Sequence, residues 1–196
     1  AAPIDVKRRA TAAFEAIATI EAEIHGTTVE KVHLHEVGAV DAILDIIGSV
    51  WGFHLLGIER VYCGPIALGD GFVDAAHGRL AGPVPATLRL LEGLDVRPGP
   101  EQSGELTTPT GAVLVRVLTS GPAPPLFRVL KSGYGAGTKD PAGRANALRI
   151  ILAELDEQPD VETLELQRTL VLELARAEPA VDEADRDQGR VGPGEA

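Results

Sequence analysis

One long apolar stretch constrains the fold of this chain more than any other feature. It covers residues 39–58 as "AVDAILDIIGSVWGFHLLGI", is apolar on nearly every side when wound as a helix, and ends at Gly57. This pattern predicts a buried helix, because a helix without a polar face must be covered by other elements. Its polar exceptions, Asp41, Asp45 and Ser49, are spaced i, i+4, i+8 and therefore form one stripe along it.

Directly before this helix, "HLHEVGAVD" brings ionisable side chains to the entrance of the apolar run. The alternation in "VEKVHLHEV" predicts a short strand with His33 and His35 on one face. Imidazole and carboxylate are ligands of divalent nickel, manganese, zinc and iron, so this cluster is a candidate metal site that His77 would complete. The alternative is that the histidines lie on a solvated face and that Asp41 and Asp45 are only the acidic residues that the dipole favours at the start of a helix.

Helical and strand patterns alternate along the rest of the chain. "PIDVKRRATAAFEAIATIEAEIHG" predicts an amphipathic helix, and two further helices are predicted to begin at the prolines of "GPVPATLRLLEGL" and "TTPTGAVLVRVL". "RVYCGPIALG" and "NALRIILAEL" predict strands, and "FRVLKSGYGAGTKDP" predicts a strand that runs into a glycine-rich loop. The fold class is therefore α+β, with helices packed on a mixed sheet whose strand order the sequence does not reveal.

Charge divides the chain into two segments. The net charge is -11, and most of it lies after Leu152. We expect an α/β domain over residues 1–157 and an acidic, largely disordered segment over residues 158–196, in which "VETLELQRTLVLELARAE" could form a helix or a strand. The acidity argues against a nucleic-acid partner. No apolar run that is free of charged residues reaches the roughly 20 residues that span a bilayer, so we expect a cytoplasmic protein without a membrane partner. The single cysteine, Cys63, excludes an internal disulfide, and the absence of methionine indicates a piece of a longer protein.

Two segments contain residues of the kind that bind phosphate. "GELTTPTGA" presents hydroxyls and backbone amides at a helix start, which predicts an anion or phosphate site at Thr107, Thr108, Thr110 and Gly111. "SGYGAGTKD" has alternate glycines that let the backbone approach a phosphate or a planar ring, at Gly133, Gly135 and Gly137. Arg144 and Asn146 follow as candidate anion contacts. Ordinary capping by Thr108 and a tight structural loop are the respective alternatives.

Five motifs in a fixed order resemble the LarC family of nickel insertion proteins. They are "HLHEVGAVDAILDIIG", "ALGDGFVDAAHGRL", "PVPATLRLLEG", "GELTTPTGA" and "GYGAGT", and they cover about Val32 to Ile151. The resemblance implies a cytoplasmic nickel insertase, a cyclometallase of the lyase class. Its expected reaction puts nickel(II) into pyridinium-3,5-bisthiocarboxylic acid mononucleotide and so forms the nickel-pincer cofactor. The resemblance also implies CTP as co-substrate and a manganese or magnesium ion.

The resemblance extends to individual residues. The family signature His-x-His-Glu-Val-Gly-Ala-Val-Asp falls on this sequence, and we expect metal ligands among His33, His35, Asp41, Asp45 and His77. We hypothesise that His35 or Glu36 takes the proton lost from the substrate ring. Two family segments, Ser-Gly-Asp-Met and Asn-Leu-Asp-Asp-Met, are absent, and Ala145 stands where a proline is usual.

The expected partners follow from the same resemblance. They are the nucleotide substrate, the C-terminal half of the same enzyme, the racemase that needs the cofactor, and further copies in a homo-oligomer. Two other functions stay open. A non-catalytic nickel carrier would need the histidines but not the threonine and glycine segments, whereas a metal-dependent nucleotide phosphohydrolase would turn over nucleotide without nickel.

Overall fold

The computed structural model describes residues 2–32, 34, 40–75, 78–141, 144–155 and 168–174. These residues contain four helices, α1 (Ile4–Ile24), α2 (Val40–Leu55), α3 (Pro85–Leu90) and α4 (Pro109–Leu118). Prolines begin α3 and α4, where a missing N–H costs no helical hydrogen bond. The helix α1 contacts the other three, and their shared core includes the fully buried Ile17, Ile46, Leu90 and Val113. The predicted helices are therefore confirmed. No helix of the described residues is long and apolar enough to cross a membrane.

The strands of the described residues form one large sheet and two small pairs. They are β1 (Arg60–Cys63), β2 (Ile66–Ala67), β3 (Phe72–Ala75), β4 (Gly78–Ala81), β5 (Val96–Arg97), β6 (Gly121–Pro122), β7 (Arg128–Ala136), β8 (Ala147–Glu154) and β9 (Arg168–Leu174). The large sheet has the order β6-β1-β9-β8-β7. In it β1 is parallel to β6 and β9, whereas β8 is antiparallel to β7 and β9. The sheet is therefore mixed, and the predicted α+β class is confirmed.

The helices cover one face of the large sheet. On this face Val61 of β1 and Leu170 of β9 pack with Val6, Val50 and Leu118 of the helices, and all five are at least 95% buried. The opposite face has a smaller cluster of Ile151 and Ala153 with Tyr62, Ala123 and Phe127. The sheet thus has its main core on the helix side, where the candidate residues Asp41 and Asp45 of α2 and Thr108 and Thr110 at the start of α4 also lie.

The strand β9 comes from the segment that the sequence assigns to an acidic region after residue 157. It pairs with β1 through Arg60–Cys63 and with β8 along its whole length. It therefore occupies the centre of the sheet, so the folded sheet includes residues beyond the expected boundary. The reason is that seven residues with apolar side chains at several positions pair well between two strands, whatever the acidity of their surroundings.

The predicted strand in "VEKVHLHEV" is wrong for its described residues. Residues 29–31 form a turn, and Val32 and Leu34 have no regular structure. The amides of Lys31 and Val32 both donate to the carbonyl oxygen of Thr28, at 3.0 and 2.9 Å. A local turn therefore takes the donors that a strand would offer to a neighbour. The remainder of the predicted strand, including His33 and His35, lies outside the described residues.

The helix α2 is not buried on every side as its sequence predicts. Its buried residues, Ala42, Ile46 and Val50, lie on one face. On the opposite face the exposed fraction is 65% for Leu44 and 76% for Leu55. An apolar sequence shows only that other elements could cover every face of α2. Among the described residues, the packing of α1 and α4 determines which face of α2 is buried.

Candidate metal and nucleotide site

Two candidate ligands lie on the first two turns of α2. Asp41 and Asp45 are both exposed, and their spacing of four residues puts them on the same side of the helix. The carboxylate oxygen Oδ1 of Asp41 accepts a hydrogen bond of 2.9 Å from the amide of Ala42. Ala42 and Ile46 are buried beside these aspartates. The core therefore holds the backbone in place while both carboxylates remain available to a ligand.

The start of α4 supplies hydroxyl groups and one backbone donor. Thr108 is the N-cap residue, and its Oγ1 accepts a hydrogen bond of 3.1 Å from the amide of Gly111. The amide of Ala112 donates to the carbonyl of Thr108 at 2.9 Å, and Pro109 has no N–H. Of the first-turn amides, only that of Thr110 has no acceptor within the helix. The capping alternative for Thr108 is thus observed. It leaves fewer free backbone amides for an anion than an uncapped helix start would offer.

The starts of α2 and α4 enclose a polar hollow of about 220 Å³. This acidic hollow is lined by Asp41, Ala42, Asp45, Glu105, Thr108, Pro109 and Thr110. The fold therefore brings two predicted metal ligands together with two predicted nucleotide-binding threonines, although more than 60 residues separate Asp41 from Thr108. Carboxylate and hydroxyl oxygens are hard donors that suit magnesium or manganese.

Glu105 lines the acidic hollow but was not among the candidate residues from the sequence. It precedes the threonine motif in "GELTTPTGA" by two residues. Its spacing gives no periodic signal, because it lies in an irregular loop and not on a helix or strand. Its position at the edge of a phosphate-type motif was the only hint of a third carboxylate at the site.

The other predicted metal and catalytic residues lie outside the described residues. These are His33, His35, Glu36 and His77. Within the described ranges, no three His, Cys, Asp or Glu side chains lie close enough together to hold a metal ion by themselves. Magnesium commonly binds one or two carboxylates together with substrate phosphates rather than a cage made only of protein. The two aspartates fit that mode of binding.

A braced loop carries Glu105 and the threonines to the hollow. Asp70 and Gly104 exchange two backbone hydrogen bonds of 3.1 and 2.8 Å, and Oδ2 of Asp70 accepts a third, of 2.8 Å, from the amide of Gln102. Arg144, a candidate anion contact from the sequence, donates to the carbonyl of Ser103 at 3.4 Å. In this structure Arg144 therefore contacts the loop that leads to the site.

Thr107 connects the same loop to the protein interior. Its Oγ1 donates a hydrogen bond of 2.9 Å to the carbonyl of Ala67. Its own carbonyl accepts a hydrogen bond of 3.4 Å from the hydroxyl of Thr87, which is fully buried. Because its hydroxyl already donates to Ala67, Thr107 positions its neighbour Thr108. The contact of Thr107 with a nucleotide stays a prediction.

The three predicted glycines do not form a loop around the acidic hollow. Gly133 and Gly135 lie in β7 and pair with Ile150 and Leu148 of β8. Gly137 follows the strand, and its amide donates to the carbonyl of Asn146 at 2.9 Å. Asn146, the other candidate anion contact, donates through Nδ2 to the carbonyl of Lys139 at 2.9 Å. The expected glycine-rich loop is thus largely a strand, because its alternate residues fit the pairing with β8.

A second, apolar cavity of about 280 Å³ adjoins the acidic hollow. It lies between α2, α4 and the sheet, and its lining includes Phe53, Ile66, Leu106, Leu114, Leu148 and Ile150. Cys63, Thr107 and Gly111 also line it. Thr108 lines both spaces. The site therefore has an acidic part and an apolar part that meet at the N-cap of α4.

Comparison with known proteins gives consistent matches. The family described as nickel insertion protein matches residues 1–183. A pyridinium-3,5-bisthiocarboxylic acid mononucleotide nickel insertion protein of Desulfitobacterium hafniense is 48% identical over 176 residues, which are 89% of this chain and 43% of that protein. A protein of the same name from Thermotoga petrophila is 48% identical over 134 residues, 68% of this chain and 34% of that protein. The chain thus spans less than half the length of these relatives. No solved structure matches it.

Proposed function

Because the chain belongs to the nickel insertion protein family, we propose that it acts in the insertion of nickel(II) into pyridinium-3,5-bisthiocarboxylic acid mononucleotide. The observation that carries this proposal is the acidic hollow, which joins two carboxylates of α2 to the capped start of α4. A nucleotide phosphate and a divalent cation need such a combination, since carboxylates alone would repel the phosphate and hydroxyls alone would hold the cation weakly.

The acidic hollow is the part of the site that would hold magnesium or manganese and phosphate. Asp41 and Asp45 would supply oxygen donors to the ion, and the amide and hydroxyl of Thr110 would donate to a phosphate oxygen. The ion's chemistry would be to neutralise phosphate charge. CTP is the proposed co-substrate, and Thr107, Thr108, Thr110, Gly111, Gly133, Gly135 and Gly137 are its proposed contacts.

Nickel is a substrate of this reaction, and its proposed ligands include imidazoles. His33, His35 and His77 would hold nickel(II) next to the aspartates, because imidazole suits nickel better than carboxylate alone does. Bonding of nickel to the ring carbon releases one proton, which His35 or Glu36 would accept. The two thiocarboxylate sulfurs supply the remaining bonds to nickel. This is cyclometallation, and we assign it to the lyase class.

The proposal includes a cellular setting. The protein would work in the cytoplasm, together with the C-terminal half of the enzyme and with the racemase that uses the cofactor. A homo-oligomer is the proposed assembly. Incubation of the chain with its longer relatives' C-terminal part, followed by size-exclusion chromatography, tests the first of these associations.

The direct experiment combines the purified protein with nickel(II), CTP, manganese(II) and the bisthiocarboxylate mononucleotide. Mass spectrometry then follows the nickel-bearing product. We expect the Asp45→Asn variant to form product at least about tenfold more slowly, because an amide holds a divalent cation more weakly than a carboxylate. Manganese-dependent binding of CTP, measured by calorimetry, should weaken in parallel.

Asp95→Asn is the matched control, since Asp95 is an exposed aspartate that does not line the acidic hollow. It should retain product formation and CTP binding within about twofold, as surface substitutions away from a site usually do. Equal rates for the two variants would refute the role of the acidic hollow. Nickel binding without CTP binding would indicate a carrier, and nickel-independent hydrolysis of CTP would indicate a phosphohydrolase.

A further inference from the structure

The apolar cavity beside Thr108 has no role in the binding of phosphate or cation. We infer that it receives the flat nitrogen heteroaromatic ring of a nucleotide whose phosphate lies in the acidic hollow. This inference rests on the proposed function only in taking a nucleotide as the ligand. The shared chemistry is a six-membered ring on ribose 5'-phosphate, whether the ring is a pyridinium or a pyrimidine.

The lining of the cavity suits the faces of such a ring. Phe53, Ile66, Leu114 and Ile150 present apolar side chains from four separate elements. A phosphate would lose its hydration there without gaining donors, so the charged end of the ligand is excluded from the cavity. A flat ring instead replaces water at apolar walls and gains contact on both of its faces.

The volume of the cavity limits what it can hold. Ligand pockets for whole small molecules usually measure roughly 300–1,000 Å³, and this cavity measures about 280 Å³. It holds a ring but not a complete nucleotide. The ribose and phosphate must therefore continue into the adjoining space, and Thr108, which lines both spaces, marks the direction of the acidic hollow.

The neighbouring edge of the sheet leaves an open approach to the cavity. Leu148 and Ile150 line the cavity and pair with Gly135 and Gly133 of β7. Cross-strand partners share a face of the sheet, so both glycines continue the face that bears the cavity wall. Among the described residues, no atom lies within 4 Å of a Cβ built on either glycine. No side chain of these two glycines would therefore obstruct a flat ring that enters the cavity along this face.

Three probes separate the ring from the phosphate. They are nicotinic acid mononucleotide with a pyridinium ring, CMP with a pyrimidine ring, and ribose 5-phosphate without a ring, each titrated calorimetrically into the full chain with manganese(II). We expect at least one ring-bearing probe to bind about tenfold or more tightly than ribose 5-phosphate, a difference of 1.4 kcal/mol. Whichever of nicotinic acid mononucleotide and CMP binds more tightly identifies the ring as a pyridinium or a pyrimidine. Equal affinities for all three probes, or no binding by any, would overturn the inference.

A variant that fills the cavity gives the second arm. In Ser49→Phe, a residue of the cavity lining gains a bulky ring, and we expect the ring-bearing probe to fall to within about twofold of ribose 5-phosphate. Leu44→Phe adds the same ring on the exposed face of α2 and should leave all affinities unchanged. If Ser49→Phe lowers the helical circular dichroism signal, Ser49→Leu replaces it, because overpacking itself is destabilising. An unchanged preference for the ring in a folded variant would contradict the inference.

The two proposals fail separately in these measurements. If ribose 5-phosphate binds with manganese(II) but a ring adds no affinity, the cavity is not the ring site and the acidic hollow keeps its role. If the ring adds affinity that Ser49→Phe removes but no nickel-bearing product forms, the cavity keeps its ligand and the proposed reaction is wrong.

Discussion

At Gly69 the backbone near the acidic hollow leaves no room for a side chain. A Cβ built on Gly69 would lie 2.0 Å from the carbonyl oxygen of Gly104, which accepts the amide of Asp70. We expect Gly69→Ala to lower the free energy of unfolding by about 2–3 kcal/mol, because backbone rather than a flexible side chain must move. Urea denaturation measures the change. The same variant should weaken manganese-dependent CTP binding, since the loop carries Glu105 and Thr108.

Gly48 is the matched control for this substitution. It lies on α2, and no atom of the part of the chain that the structure describes lies within 4 Å of a Cβ built on it. Gly48→Ala should raise the free energy of unfolding by about 0.5–1 kcal/mol through helix propensity alone. Equal effects of the two variants would show that the contact with Gly104 carries no strain. The sequence cannot rank these glycines, since the contact joins residues that are distant along the chain.

At the scale of single elements, the start of α4 is the part of the site most open to a stability test. The hydroxyl of Thr108 accepts the amide of Gly111, and N-cap hydroxyls contribute about 1 kcal/mol to the stability of a helix. We expect Thr108→Ala to lower the free energy of unfolding by about that amount and Thr108→Ser to change it by only a few tenths. Thermal unfolding of both variants measures the difference, and equal midpoints for the two would argue against the cap.

Elements fixed by neighbouring residues were predicted well, and those fixed by distant contacts were not. The cap and proline of α4 lie within one turn, so "TTPTG" was enough to predict its start. The strand in "VEKVHLHEV" depended on a partner that the described residues do not supply, and the carbonyl of Thr28 took its first donors. The exposed face of α2 likewise depended on where α1 and α4 pack, which periodicity does not specify.

At the scale of the whole molecule, β9 makes residues beyond 157 part of the folded sheet. Leu170 is 2% exposed, and the strand pairs with neighbours on both sides. A chain ending at residue 157 should therefore lose its cooperative thermal transition, whereas a chain ending at residue 183 should keep the midpoint of the full chain within a few degrees. Circular dichroism at increasing temperature compares the two. A cooperative transition at the same midpoint in the shorter chain would contradict the central role of β9.

Contacts between distant segments also explain why the sequence does not predict where the site residues come together. The candidate residues Asp41, Asp45, Thr108 and Thr110 belong to separate motifs, and only the packing of α2 beside α4 brings them to one hollow. The apolar cavity had no sequence signal, because its walls come from helices, a loop and the sheet. The sequence therefore predicts which residue types belong to the site, but it does not predict that they lie together.

The central position of β9 also determines the order in which the sheet assembles during synthesis. β1 and β6 can pair early, and β7 and β8 can form their antiparallel pair next, but these two halves meet only through β9. Roughly a hundred residues separate β1 from β9, and such long-range pairing is slow. We therefore expect the inner edges of the two halves of the sheet to stay unpaired until Arg168–Leu174 is available to form β9 between them.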